Sequence, residues 1–186
     1  MKSVSITAAE RETLGKRSTK DLRNGGLVPC VIYKKEEATH ITASPSELKQ
    51  LIYTPDFKIA EIKVNNKVRK CIIKEATFHP VTDVVTHIEF LELIDGHPVK
   101  VEVPLRFKGT SVGVKAGGKL LQTVRKVKIK TLPSNLIDEL FLDISAMDLG
   151  QSVRIRDIIL PSGIEVINSP AIPVATIEIP RALRGK

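Results

Sequence analysis

The stretch Val99–Lys108 alternates more cleanly than any other part of the chain. Val99, Val101, Val103, Leu105 and Phe107 share one face; Lys100, Glu102, Arg106 and Lys108 share the other. A period of two is the signature of a strand with one buried face. It limits this region to sheet architectures. Shorter runs repeat the pattern. Val127 and Ile129 alternate with Lys126, Lys128 and Lys130, and apolar positions recur at Leu140, Leu142 and Ile144, at Val153 and Ile155, and over Val174–Ile179. Turn signals at 132–135, 149–150 and 161–163 separate them. Many short strands with regular punctuation predict a mostly β second half.

The first half carries strand signals too. Val4 and Ile6 alternate with polar neighbours, Val28–Tyr33 is a β-branched run, and Val84–Leu91 alternates. Ile62–Val68 reads as a hairpin, because Asn65-Asn66 tolerates the positive φ of a tight turn. One helix is predicted at Ser44-Pro45-Ser46-Glu47, with Ser44 as N-cap, Pro45 at the first helical position and Glu47 completing a capping box. Leu48, Leu51 and Ile52 then share a face. A break at Ile94-Asp95-Gly96-His97-Pro98 divides the chain into 1–93 and 94–186. The fold class expected is mainly β with short helices.

Of 186 residues, 42% are hydrophobic, enough for a packed core, and the net charge is +8. No long block of one sign produces that charge, so a folded basic protein meeting a polyanion is expected rather than a disordered tail. Clustering singles out the N-terminus. Residues 1–35 hold eight basic side chains against three acidic ones. Lys16, Arg17, Lys20, Arg23, Lys34 and Lys35 surround the Gly25-Gly26 pair and the run ending in Tyr33.

Enzymatic and metal chemistries find little support. Gly113–Lys119 lacks the spacing of a phosphate loop, and a glycine-rich β-connection is the better reading. No GxSxG or HExxH motif is present, and no Cys-His pairing stands out. His79, Asp83, His87 and Glu89 match no ligand frame, so no metal and no cofactor are expected. Cys30 and Cys71, far apart and each in an apolar run, read as core thiols. The N-terminus lacks the apolar segment of a signal peptide, and no apolar run approaches the ~18 residues of a membrane span, so a soluble cytoplasmic protein is expected.

Alternation also sorts the polar candidates. Ile88 and Phe90 belong inside, which puts His87 and Glu89 side by side outside. That pair is either a solvated face or a reader of base edges, with His donating or stacking and Glu accepting from an exocyclic amine. Tyr33, outward beside Val31, is placed to donate to a ribose or phosphate. Lys126, Lys128 and Lys130 are either a solvated face that discourages edge pairing or a second contact with RNA.

These residues resemble a known family. Gly15-Lys16, Leu22-Arg23, Gly26, Pro29 and Ile32-Tyr33, followed by His79-Pro80 and His87-Ile88-Glu89-Phe90, are similar to the N-terminal domain of the bacterial large-subunit ribosomal protein that binds 5S rRNA. It is number twenty-five in the usual nomenclature, of general stress protein Ctc type. The second half resembles the second domain of the long form in Val103-Pro104-Leu105, Gly109, Gly113-Val114-Lys115, Gly117-Gly118, Leu132-Pro133 and Asp143-Ile144-Ser145. The resemblance implies a six-stranded barrel related to the anticodon-binding barrels of glutaminyl-tRNA synthetase. It implies a grip on the loop E region of 5S rRNA within the 50S subunit, with no catalysis, membrane or small-molecule substrate. Carried over, it marks Arg11, Lys16, Lys20 and Arg23 near phosphates, with Arg17 one turn from Asp21. It marks Tyr33, Lys74, His87 and Glu89 at the RNA surface. Asp21 stands where relatives often have arginine, Lys34 replaces a glycine, and Glu89 is one methylene longer than the usual aspartate. Two other readings are a stress protein that joins the ribosome conditionally and a small-molecule module on a barrel.

Overall fold

A computed structural model of the chain describes residues 2–35 and 37–180. The chain divides into two compact units, Met1–His97 and Pro98–Lys186. In the first, β1 (Ser3–Glu10), α1 (Lys16–Asn24), β2 (Val28–Lys34), β3 (Glu37–Ala43), α2 (Pro45–Ile52), β4 (Ile59–Val64), β5 (Lys67–Phe78) and β6 (Val85–Glu92) follow one another. The strands close into a barrel in the order β1-β3-β2-β6-β5-β4. Two pairings within it, β1 with β4 and β2 with β6, are parallel. Closure gives each strand two neighbours, although β1 meets β3 only over Ala8, Ala9 and Glu10.

Alternation decides which side chains fill the barrel. Cys30 and Ile32 of β2 face Ile88 and Phe90 of β6 in register, and all four are 0% exposed. Ile6, Ile41 and Ile62 complete the centre, and α2 seals the core with Leu48 and Leu51. The hairpin between β4 and β5 turns at Asn65 and Asn66, with φ of 47° and 63°. Two left-handed residues make the tight turn that matches the twist of the flanking strands. Burial pushes the thiols of Cys30 and Cys71 up to about 12, so neither behaves as a nucleophile.

α2 begins where expected, after Ser44 and with Pro45 at its start, but the capping box does not form. The Ser44 hydroxyl lies 2.7 Å from that of Ser46. The Glu47 carboxylate instead accepts the Thr7 N–H at 3.3 Å. Pairing of β1 with β3 starts only at Ala8, so Thr7 offers a competing donor that local sequence does not reveal.

The second unit contains β7 (Val99–Lys108), α3 (Val112–Lys115), β8 (Lys119–Gln122), β9 (Lys126–Thr131), β10 (Leu140–Asp143), β11 (Ser152–Arg154), β12 (Ile164–Val166) and β13 (Pro173–Glu178). They form a four-stranded sheet, β10-β7-β9-β12, and a three-stranded one, β11-β13-β8. Val103, Val127, Ile129, Val174 and Ile177 are 0% exposed. The long alternating stretch is therefore a strand with one face in a core. Its partner β9 lies between β7 and β12, but β12 pairs only with Ile129–Thr131, so Lys130 lies inside the sheet whereas Lys126 and Lys128 lie beyond the stretch that β12 pairs with.

The glycine-rich connection contains the short helix α3, which the sequence reading did not include. Its amides are spent internally: Gly113 donates to Met147 at 3.0 Å, Val114 to the Ser111 hydroxyl at 3.0 Å and Gly118 to Gly113 at 2.8 Å. A Cβ on Gly113 would sit 2.7 Å from the backbone at Asp148 and Leu149. The glycine permits close packing and leaves no row of free amides for a phosphate.

Candidate nucleic-acid interface

α1 is unusual for a helix of a folded protein because none of its nine residues is buried. Lys16, Lys20 and Arg23 fall on one face at spacings of four and three. Arg17 lies one turn before Asp21, and these two form no ion pair among the described residues. No acidic residue occupies the first turn, where Lys16 and Arg17 oppose the helix dipole. Neither core burial nor electrostatics within the chain favours such a helix. It is held by a few ties. The Thr19 hydroxyl donates to Gly15 O at 2.8 Å, Leu27 N donates to Leu22 O at 3.0 Å, and the Arg11 guanidinium donates to the Thr19 hydroxyl at 3.3 Å. Gly26 makes the exit turn, with φ of 75°.

Arg23 connects the helix to the barrel wall. Its Nε donates to Thr86 O at 3.0 Å, one residue before His87. On the outer wall the strand register then sets out rows of side chains. Pro29 pairs with Thr42 and His87 with Thr77 at one level, and His40, Val31, Glu89 and Glu75 form a continuous row at the next. Tyr33 and Leu91 begin a third. Arg11 N donates to His40 O at 2.9 Å, which extends the second row toward the helix.

The register of β5 shifts between Ile73 and Glu75. Lys74 sits at that irregularity. Its Nζ lies 3.5 Å from Glu89 Oε2 and 5.0 Å from the centre of the Tyr33 ring. Tyr33, Lys74 and Glu89 therefore form one group, and the lysine offsets the repulsion between Glu75 and Glu89, which stand directly opposite. Lys34 is not part of that group. It alternates to the other side of β2 and meets Glu92 at 2.9 Å, where Arg69 also approaches at 3.7 Å.

His87 is half-buried, and burial pulls its pKa below 6.5; Arg23, Arg11 and His40 push the same way, while Glu89 opposes them. The ring is neutral at pH 7, with one donor and one acceptor nitrogen. A depressed folded pKa contributes stability that is present above the unfolded value and lost as pH falls through the folded one. The urea midpoint of the native chain is thus expected to drop as pH falls below 6.5 more steeply than that of His87→Gln. Parallel profiles for the two proteins would contradict the assignment.

The structure brings Arg11, Arg23, Tyr33, Lys74, His87 and Glu89 onto adjoining ground, with Lys16, Arg17 and Lys20 on the tethered helix. It adds His40, which sequence reasoning missed. Its only signal was a lone histidine in a Thr-His-Ile-Thr strand, and its place beside Val31 depends on strand pairing. Lys126, Lys128 and Lys130 belong to the other unit. Among the described residues, no cluster of metal-ligating side chains occurs, and no helix is long and apolar enough to cross a membrane.

The barrel wall thus presents hydrogen-bonding side chains of both signs beside a helix of exposed cations. Residues 6–90 match the model of the Ribosomal L25p family, and residues 98–181 match that of ribosomal protein TL5, C-terminal domain. The large ribosomal subunit protein bL25 of Cytophaga hutchinsonii is 38% identical over 184 residues, covering 99% of this chain and 95% of the relative. That of Phocaeicola vulgatus is 35% identical over 192 residues, covering 100% and 96%. The chain belongs to the Ribosomal L25p family, whose members are structural and non-enzymatic. The mostly β architecture with a closed six-stranded barrel agrees with that membership.

Proposed function

We propose that the chain is a structural constituent of the large (50S) ribosomal subunit that binds 5S rRNA at its loop E region. It is ribosome-associated and cytoplasmic in this reading. Full-length similarity to proteins of the large subunit supports the subunit assignment. One observation carries the RNA assignment: an unburied cationic helix is tied by Arg23 to the strand that displays His87 and Glu89. The helix grips phosphates, with Arg11, Lys16, Arg17, Lys20 and Arg23 supplying charge. The wall inspects a shallow minor groove, with Tyr33 on ribose or phosphate and His87, Glu89 and Lys74 at base edges. A-form RNA hides its major groove and offers the minor one to a broad surface, which suits a barrel face.

A gel shift of the full chain with 5S rRNA against an equal length of tRNA tests the division of labour. Lys16→Ala is expected to weaken both complexes alike. His87→Ala and Glu89→Ala are expected to erode the preference for 5S rRNA, each by about 1–3 kcal/mol of discrimination. Equal losses on both RNAs for all three variants would overturn the scheme.

A further inference from the structure

The outer face of the four-stranded sheet carries features that its own unit does not use. Register places Lys100 directly opposite Lys130, Glu102 opposite Lys128, and Arg106 beside Phe141. Lys128 is partnered by Glu102 and Lys130 by Glu165, each at 3.5 Å. Lys100 and Lys126 have no carboxylate at ion-pair distance among the described residues. Phe141 is 41% exposed, with Lys108 Nζ 4.4 Å from its ring centre.

Two of these features work against the isolated fold. Like charges directly opposite on a sheet destabilise it. An aromatic ring left open to water forgoes its burial energy. Protection against edge pairing does not explain Lys100, which lies on the inner strand β7, or Lys130, which β12 covers; Lys126 lies beyond the stretch of β9 that β12 pairs with. The reverse face is already committed to the core through Val101, Val103, Val127 and Ile129. A cationic pleated surface with one open ring is complementary to a strand of phosphates carrying an unstacked base.

We propose that this face is a second RNA contact, separate from the barrel, on which an unpaired base packs on Phe141 beside Lys108, which Asp143 opposes in register, while Lys126 and, farther along β7, Lys100 hold phosphates of the same strand. Of the three lysines on β9, Lys126 contacts the strand directly, whereas Lys128 and Lys130 are held by their glutamates. Packing on the exposed part of the ring requires an unstacked base, which selects unpaired RNA over duplex.

The chain contains no tryptophan, so Phe141→Trp introduces a single indole at the proposed stack. The full-length Phe141→Trp protein is titrated with a single-stranded RNA dodecamer of mixed sequence and with the corresponding duplex. Emission is expected to fall by about half with the single strand and to change little with the duplex. Adding Lys100→Glu and Lys126→Glu is expected to raise the half-saturating RNA concentration about tenfold or more. Adding His87→Ala is expected to leave the quench intact, so failure of the barrel reading does not imitate failure here. Unquenched emission at RNA concentrations that shift the protein fully on a gel would overturn the proposal. So would equal quenching by duplex, or indifference to the two glutamates.

Discussion

Raising monovalent salt from about 50 to about 200 mM is expected to weaken the complex with 5S rRNA by roughly 100- to 500-fold. Each phosphate neutralised releases condensed counterions, contributing about 0.7 to 0.9 to the log–log slope. Arg11, Lys16, Arg17, Lys20 and Arg23 thus predict a slope of roughly −3.5 to −4.5. The structure makes this count reasonable. The three residues Lys16, Arg17 and Lys20 meet no carboxylate among the described residues. Arg11 and Arg23 spend only part of their guanidinium groups on Thr19, Thr13 and Thr86. Filter binding across a salt series checks it. A slope near −1 would mean that the helix does not touch the backbone, whereas a slope well beyond −4.5 would report cations outside it, of which Lys100 and Lys126 are the first to test.

The second large effect concerns the core behind the interface. Phe90→Ala is expected to destabilise the barrel by about 3–5 kcal/mol. Phe90 is 0% exposed and lies among Ile32, Ile73 and Ile88 in register. Removing the ring leaves a cavity that a closed barrel cannot collapse, because every strand is held on both sides. Both tyrosines, Tyr33 and Tyr53, belong to the first unit. Tyrosine emission in urea therefore follows that unit alone, without interference from the second. Phe78→Ala is the control, since Phe78 is 41% exposed, and it is expected to cost less than about 1 kcal/mol. A Phe90→Ala midpoint no lower than that of the control would refute the packing account. Because Phe90 follows Glu89 on one strand, a mild loss of packing also disturbs the outer row that holds Glu89, and Phe90→Leu separates the two effects.

Much of this was legible in local pattern. Alternation placed Ile88 and Phe90 inside and His87 and Glu89 outside, and the Asn65-Asn66 turn and the start of α2 were readable from a few residues each. The barrel itself came from family resemblance. Periodicity gives a strand and a face but not a partner, and β2 pairs with β6 across more than fifty residues of chain. The same limit hid His40, whose neighbours are chosen by pairing. It hid the bulge that swings Lys74 between Tyr33 and Glu89, and the interior position of β9. Glu47 shows a subtler failure. Its local signal was correct for a capping box, and a backbone donor from a distant strand outcompeted it.

The parallel pairing of β2 with β6 has a consequence for synthesis. The cationic helix is translated early, but the strand that anchors it through Thr86 is made last in its unit. A nascent chain ending before β6 carries this helix without its Arg23 tie. The helix is pinned to the wall only when the final stave of the barrel is threaded into place, while the second unit is still being translated.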